Sequence, residues 1–128
     1  MGSSVKLLPE SDDKTVCVYI TGVINGEDFE KNFIVPIKDV IAKQGHANLF
    51  AIYDDDYQGW DTPAAEASFN TFSELGIFAR RIAYVNAPDS IHLIIKMMQP
   101  LMPNSDIRFF ETDEKDEALA WVKGLSSL

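Results

Sequence analysis

The sequence predicts a single α/β domain over residues 1–128, with a mostly parallel, mixed sheet of four or five strands flanked by about four helices. A length of 128 residues suits one compact domain. Three buried-strand runs, at 15–21, 48–53 and 81–86, alternate with segments of helical periodicity. Because such strands are apolar on both sides, we expect right-handed crossovers and helices on both faces of the sheet.

The strands are predicted by β-branched and aromatic runs bounded by turn residues. TVCVYIT at 15–21 precedes Gly22, and NLFAIY at 48–53 ends in three aspartates at 54–56. RIAYVN at 81–86 and IRFF at 107–110 complete the series. Residues 5–8 are expected to form one more strand, antiparallel, at an edge of the sheet.

The first helix is predicted to begin at 26–28, where acidic side chains favour a helix start. Its apolar stripe consists of Phe29, Phe33, Ile37, Val40 and Ile41. Pro36 interrupts this stripe, and a proline inside a helix removes a backbone hydrogen bond and clashes with the preceding turn. We therefore expect a kink or a break there, and an end at Gly45.

Three further helices follow the later strands. The second should begin with Asp61 or Thr62 as its N-cap and run to about residue 79. The third should end before Pro100, and the last should begin at Thr112 and stop at Gly124. The side chains expected to face the core are Ala65, Phe69 and Phe72, then Ile91, Ile94, Ile95 and Met98, and finally Ala118, Leu119 and Val122.

Composition excludes several classes of function. The chain carries 11 basic and 20 acidic side chains, a net charge of −9, which repels nucleic acid. A lone Cys17 is incompatible with a disulfide framework. No apolar run approaches the roughly 18 residues of a membrane-spanning helix, and no secretory apolar segment follows residues 1–4. We therefore expect a cytoplasmic protein that is not an integral membrane protein.

The loop 54–62 is the first candidate binding site. Ligands of open parallel sheets gather at the carboxyl ends of strands, where this loop begins. Tyr57 and Trp60 offer large amphipathic surfaces, and Asp61 and Thr62 open the next helix. Two interpretations remain open. Either the loop contacts a partner, or Trp60 folds back over the core while the aspartates solvate the turn.

The segment 91–103 is the second candidate site. It is apolar almost all round, which is typical of a helix that is buried or covered by something else. Met97, Met98 and Met102 supply flexible, adaptable surface. The segment fits a groove for an apolar ligand or a partner's helix, or simple core packing with a dimer contact.

No combination of residues predicts an enzyme, a metal site or a cofactor. Counted from Asp54, the loop resembles the start of a calcium-binding EF-hand, but Ala65 stands where the bidentate Glu is required. His46 and His92 have no partner at a ligand spacing. Cys17 lies in a predicted core strand, where a thiol is inert. Nucleophile-elbow, phosphate-loop and dinucleotide motifs do not occur.

Three motifs together resemble the SpoIIAA-like family of bacterial proteins, also described as STAS/SEC14-like domains. They are YQGWD at 57–61, RIAYV at 81–85, and RFFE at 108–111 followed by EALAWV at 117–122. The resemblance covers nearly the whole chain and implies a STAS-like fold. In the related anti-sigma factor antagonists, a phosphorylatable Ser follows the central strand. Here 54–62 contains no Ser, and Thr62 stands near that place.

Three functions remain open. The first is a non-enzymatic interaction module that recognises a protein partner, or itself in a homodimer, through Tyr57, Trp60 and the Met-rich helix. The second is a carrier or sensor of an apolar, lipid-like ligand, which the resemblance to SEC14-like domains implies. The third is a STAS-type phosphoswitch at Thr62.

Overall fold

The computed structural model of this chain describes residues 4–125. The first three and the last three residues of the predicted domain lie outside that range. The strands are β1 (Val5–Leu7), β2 (Thr15–Ile20), β3 (Val23–Ile24), β4 (Ala47–Tyr53), β5 (Gly59–Trp60), β6 (Ala79–Val85) and β7 (Asp106–Phe110). The helices are α1 (Gly26–Phe29), α2 (Val35–Gln44), α3 (Thr62–Leu75), α4 (Asp89–Met98) and α5 (Lys115–Val122).

Five of the strands form the main sheet, in the order β1-β2-β4-β6-β7. β1 is an edge strand, antiparallel to β2, with Val5 opposite Ile20. The other pairs are parallel, and the three long runs of the sequence are direct neighbours: Cys17 lies opposite Phe50, and Phe50 opposite Ala83. These features confirm the predicted α/β class, the mostly parallel sheet and the antiparallel edge.

The two faces of the sheet are covered unequally. Helices α1–α4 contribute to a large core on one face, to which strand residues such as Val18, Leu49 and Ile82 point. Among the helices that the structure describes, α5 alone packs on the other face, where Trp121 covers Phe50 and Ala83 in a smaller core. The strand order follows the chain order, so successive right-handed crossovers place their helices on the same face. Cover on both faces was therefore predicted correctly, but not its asymmetry.

The first helical segment shows how the chain accommodates Pro36. Between α1 and α2, residues Glu30–Ile34 form a π-helix, in which the Val35 N–H donates to the Glu30 carbonyl five residues back. Pro36 follows as the second residue of α2, directly after this wider hydrogen-bonded turn. The expected break is thus a change of hydrogen-bond pattern inside a continuous helical path. Gly45 ends α2 with a φ of 82°, as predicted.

Helix α3 faces the core with a different row of side chains from the predicted one. Its buried residues are Ala64, Ser68, Thr71 and Phe72. The prediction was correct for Phe72 and wrong for Ala65 and Phe69, which are exposed. The buried row contains two hydroxyl side chains, so it appears polar in the sequence, whereas the exposed row appears apolar. In α4, likewise, Ile94 is exposed although Ile91 and Ile95 are buried.

The last helix begins differently from the prediction. Glu111, not Thr112, is the N-cap, and it forms a reciprocal capping box with Glu114. This box opens a short 3-10 turn, Thr112–Glu114, from which α5 continues. Ala118 and Val122 are buried as predicted, and Trp121 joins them, while Leu119 is half-buried.

Candidate functional site

Two loops at the carboxyl end of the sheet pair with each other. β3 follows β2 and β5 follows β4, and these two-residue strands form a small parallel sheet of their own, with Ile24 opposite Trp60. The Gln58 N–H donates to the Gly22 carbonyl at 2.8 Å, and the Asp61 N–H donates to the Ile24 carbonyl at 2.9 Å. The loop 54–61 is therefore held in place by backbone hydrogen bonds.

This pairing positions the two aromatic side chains of the loop. Trp60 packs edge-on against Phe29 of α1, with ring centroids 5.2 Å apart. Tyr57 packs edge-on against Tyr53 at the end of β4, with centroids 5.0 Å apart. Both side chains are half-buried against the larger core. Trp60 thus covers part of the core, as one of the two interpretations of the sequence predicts, and another part of its surface stays exposed.

The indole N–H of Trp60 is poorly satisfied. Its Nε1 is shielded from solvent and has no well-aligned hydrogen-bond acceptor among the described residues. It still interacts with the Tyr57 hydroxyl: burial raises the pKa of Tyr57, and the contact with Trp60 lowers it in part. A buried donor without a well-aligned acceptor costs free energy.

The three aspartates after β4 are occupied in holding neighbouring strands. Asp54 accepts a short hydrogen bond from the Tyr19 hydroxyl, which lowers the pKa of Asp54 and raises that of Tyr19 to about 12. Asp55 accepts from Asn86 Nδ2 at 2.8 Å, and Asp56 accepts from the Gly22 N–H at 3.0 Å. Within residues 4–125, no three acidic, His or Cys side chains are grouped to hold a metal ion.

Asp61 and Thr62 connect the loop to α3. Asp61 is the N-cap, and its carboxylate accepts a hydrogen bond from the Ala64 N–H at 2.8 Å. Thr62 is the first residue of the helix and is exposed. The sequence left the choice of N-cap open between these two residues, and the structure assigns it to Asp61.

An apolar groove lies between α3 and α4 and has a volume of about 320 Å³. Its lining residues are Trp60, Ala65, Ser68, Phe69, Ile94, Met97, Met98 and Leu101. Phe69 is 58% exposed and Met97 is 73% exposed, although both are large apolar side chains. We call this feature the α3–α4 groove. It brings together the two candidate sites of the sequence, because Trp60 comes from the loop and Met97 and Met98 come from the Met-rich segment.

The sequence profile of the SpoIIAA-like family matches residues 15–123. The chain belongs to the SpoIIAA-like family. No curated protein matches it. The match suggests a non-catalytic interaction module with a STAS domain. In the part of this SpoIIAA-like chain that the structure describes, no helix is long and apolar enough to cross a membrane.

Met102 is the one predicted binding residue that lies in the core of this SpoIIAA-like domain. It is 2% exposed and packs against Gly76, where the chain leaves α3. A Cβ atom on Gly76 would lie 2.1 Å from the Leu101 carbonyl oxygen, so only glycine permits this close approach. Met102 is therefore part of the core, whereas its neighbour Leu101 lines the groove.

Phe69 lines the groove, although its helical spacing predicted that it would face the core. The signal for its exposure was weak, since Phe69 and Phe72 are three positions apart and both fit an inward-facing stripe. Only the packing of α3 against α1 decides between the two rows. Gly26 brings the two helices close, because a Cβ on it would lie 2.7 Å from the Pro63 side chain.

Cys17 is buried in a core strand, as predicted. Desolvation in the smaller core raises its pKa to about 11, so the thiolate is scarce at neutral pH. Ser11 contacts its backbone on both sides, accepting from the Cys17 N–H at 2.9 Å and donating to the Cys17 carbonyl at 3.1 Å. This cysteine is thus part of the packing beneath α5, far from the groove side of the sheet.

The capping role of Asp61 can be tested directly. Asp61→Ala should lower the free energy of unfolding by about 1 kcal/mol, because the Ala64 N–H loses its acceptor. Asp61→Asn should retain most of the stability, since Asn caps helices as well as Asp does. Urea denaturation followed by circular dichroism measures both variants. Equal losses would show that the charge of Asp61, and not its cap, stabilises the fold.

Proposed function

We propose that this SpoIIAA-like domain is a non-catalytic interaction module that binds a protein through the α3–α4 groove. The observation that carries the proposal is the exposure of large apolar side chains on both walls, above all Phe69 and Met97. Contiguous exposed apolar surface in a folded protein is typical of an interaction site. Trp60 and the methionines add the amphipathic and adaptable contacts that such sites use.

The shape of the surface supports a large partner over a small one. Leu93, on the outer side of α4, is not a lining residue of the groove and is 61% exposed. A small ligand held in the groove would leave Leu93 in water, whereas a protein surface lying across α4 would cover it. A protein partner, or a second copy of the chain, therefore buries more of the exposed apolar surface.

A carrier or sensor of an apolar ligand is the second candidate. The groove volume of about 320 Å³ lies at the lower end of the range for small-molecule sites. Between α4 and the sheet, however, the interior void is only about 30 Å³, room for a water molecule or two. A lipid chain would need α4 to move outward from Ile91 and Ile95, which anchor it to the core.

A phosphoswitch at Thr62 is a third candidate with weaker support. The hydroxyl is exposed at the start of α3, where a helix favours a phosphate. The neighbouring Asp61 carboxylate opposes it by charge repulsion. Phosphopeptide mass spectrometry of the protein from its own cells decides this candidate, because unmodified Thr62 under all growth conditions would remove it.

The groove can be tested with a paired substitution. Phe69→Ser combined with Met97→Ser should weaken binding of the natural partner by at least about tenfold, because each exposed anchor is expected to contribute 1 kcal/mol or more. Quantitative affinity capture with the variant as bait identifies proteins that depend on the groove. Titration calorimetry with the purified partner then gives the change in Kd.

The matched control is Leu7→Ser combined with Ile77→Ser, which removes comparably exposed apolar side chains outside the groove. This control should bind as the wild type does. If every captured protein bound the groove variant and the control equally well, the α3–α4 groove would not be the interaction surface.

Native mass spectrometry separates the protein-binding and carrier functions. Freshly purified protein should show the mass of the bare chain, because the interior void between α4 and the sheet is too small for a lipid chain. A retained apolar molecule that is lost in the Phe69→Ser, Met97→Ser variant would instead support the carrier.

A further inference from the structure

The two edges of the main sheet are protected to different degrees. At the β1 edge, Asn32 of the π-helical turn donates from Nδ2 to the Val5 carbonyl at 2.7 Å, so a side chain occupies the outer backbone of that strand. β7 forms the other edge, and its five residues pair with β6 without a bulge. It contains neither proline nor lysine, the residues that commonly protect edge strands.

Alternate residues of β7 direct their backbone groups away from the sheet. The Asn86 N–H donates to the Phe110 carbonyl at 3.0 Å, so the N–H and C=O groups of Phe110 and Arg108 face β6. Because successive residues of a strand face opposite ways, the backbone groups of Ile107 and Phe109 lie along the outer edge. Among the described residues, no other segment forms a hydrogen bond with these outer groups.

The side chains of β7 place opposite charges on either side of one apolar residue. Asp106 and Arg108 are both exposed, with the carboxylate 3.9 Å from Arg108 Nε. They lie on the face that α5 covers, where the Arg108 guanidinium is 4.9 Å from the centre of the Trp121 ring. Ile107, between them, lies on the other face and is half-buried against the larger core.

The surroundings of β7 permit close approach. α4 leaves a depression of about 320 Å³ beside Ile107 and Phe109, which Lys96 and Gln99 also line. Residues 91–110 carry two basic side chains and one acidic side chain, a net charge of +1 in a chain of −9. This segment is therefore not acidic, unlike the chain as a whole, so two copies can meet here without strong repulsion.

A second copy of β7 can pair with this edge in only a few antiparallel registers. The two-fold axis that relates the copies passes through one position, which then lies opposite itself. An axis at Asp106 places two acids together, and an axis at Arg108 places two bases together. Like charges directly opposite each other destabilise a sheet. An axis at Phe109 places the charged side chains opposite residues 110 and 112, which are uncharged.

An axis at Ile107 satisfies both the charges and the backbone. Each Asp106 then lies opposite the partner's Arg108, so two ion pairs form across the axis. The Ile107 N–H of each copy faces the partner's Ile107 carbonyl, as in the hydrogen-bonded pairs of an antiparallel ladder. By the same alternation, the Phe109 N–H faces the partner's Ser105 carbonyl. The edge is thus complementary to itself in one register.

We propose that β7 is a dimerisation edge, with which a second copy of this chain pairs in antiparallel orientation about a two-fold axis at Ile107. The pairing joins the two main sheets into one continuous sheet and removes an exposed edge from both copies. None of the residues that line the α3–α4 groove belongs to β7. The proposal is therefore independent of the proposed function, which concerns a different surface.

Sedimentation velocity of the full chain between about 1 and 300 µM measures the dimer directly. The wild type should dimerise reversibly with a Kd of about 10–100 µM, because the interface is small. Arg108→Glu makes all four charges at the axis acidic, and Asp106→Arg makes all four basic. Each variant alone should dimerise at least about tenfold more weakly than the wild type.

The decisive sample is an equimolar mixture of these two variants. In the Ile107 register the two arginines of one chain lie opposite the two acids of the other, so the mixed dimer should form with a Kd within about threefold of the wild-type value. Lys6→Glu is the matched control, because it reverses an exposed basic side chain on the β1 edge, and it should leave the Kd unchanged. Circular dichroism verifies that each variant is folded.

Amide hydrogen exchange, followed by nuclear magnetic resonance, measures the register. The Ile107 and Phe109 amides should exchange rapidly in dilute protein and become protected as the dimer forms. The Arg108 amide, which faces β6, should be protected at every concentration.

The proposal would be overturned by a chain that sediments as a monomer up to about 300 µM, by a mixture that fails to dimerise, or by a Lys6→Glu variant that loses as much affinity as Arg108→Glu. A monomeric chain whose captured partner is lost in Arg108→Glu would assign the edge to a strand of another protein. A dimer that Phe69→Ser with Met97→Ser dissociates would assign the contact to the α3–α4 groove instead. The proposed function fails separately, only when the natural partner is indifferent to the groove substitutions.

Discussion

The pairing of β3 with β5 is the constraint on which the candidate site depends. These two strands have only two residues each, yet they join the loop after β2 to the loop after β4. The pairing fixes Trp60 between Phe29 and the groove, and it places Asp61 where it caps α3. Gly59 makes this geometry available, because its φ of 122° is unfavourable for any residue with a side chain. Without the pairing, neither the indole nor the start of α3 would have a defined position.

The unequal cover of the sheet places the α3–α4 groove on the face that carries four helices. Four helices share that face, and protein interiors are normally packed without sizeable voids. Between α3 and α4 the side chains do not fill the space, since Phe69 and Met97 extend into solvent. On the other face α5 is held closely, with Arg81 Nη1 donating to the Trp121 carbonyl at 2.7 Å and the ring of Trp121 in contact with two guanidinium groups.

The sequence predicted the sheet well because its strands are apolar on both faces and bounded by turn residues. This pattern can be recognised without knowing how the helices pack. The sequence predicted the residues of the groove less well. Ser68 and Thr71 face the core on α3. Because their hydroxyl groups make this row look polar, the sequence predicted that a different row of α3 would be buried. β3 and β5 are too short to show any alternation, so their pairing had no signal in the sequence. Met102 was indistinguishable from Met97 by composition, and only the close approach at Gly76 places it inside.

The two tryptophans of the chain lie on opposite sides of the sheet. Trp60 borders the groove, and Trp121, on the sheet-facing side of α5, is 1% exposed. Indole emission responds to the polarity and the neighbours of the ring, and the surroundings of these two rings differ in both respects. The protein therefore contains two natural fluorophores in separate layers, one next to apolar and sulfur-bearing side chains and one beside guanidinium groups. Spectral changes on each side of the sheet can be followed without an added dye.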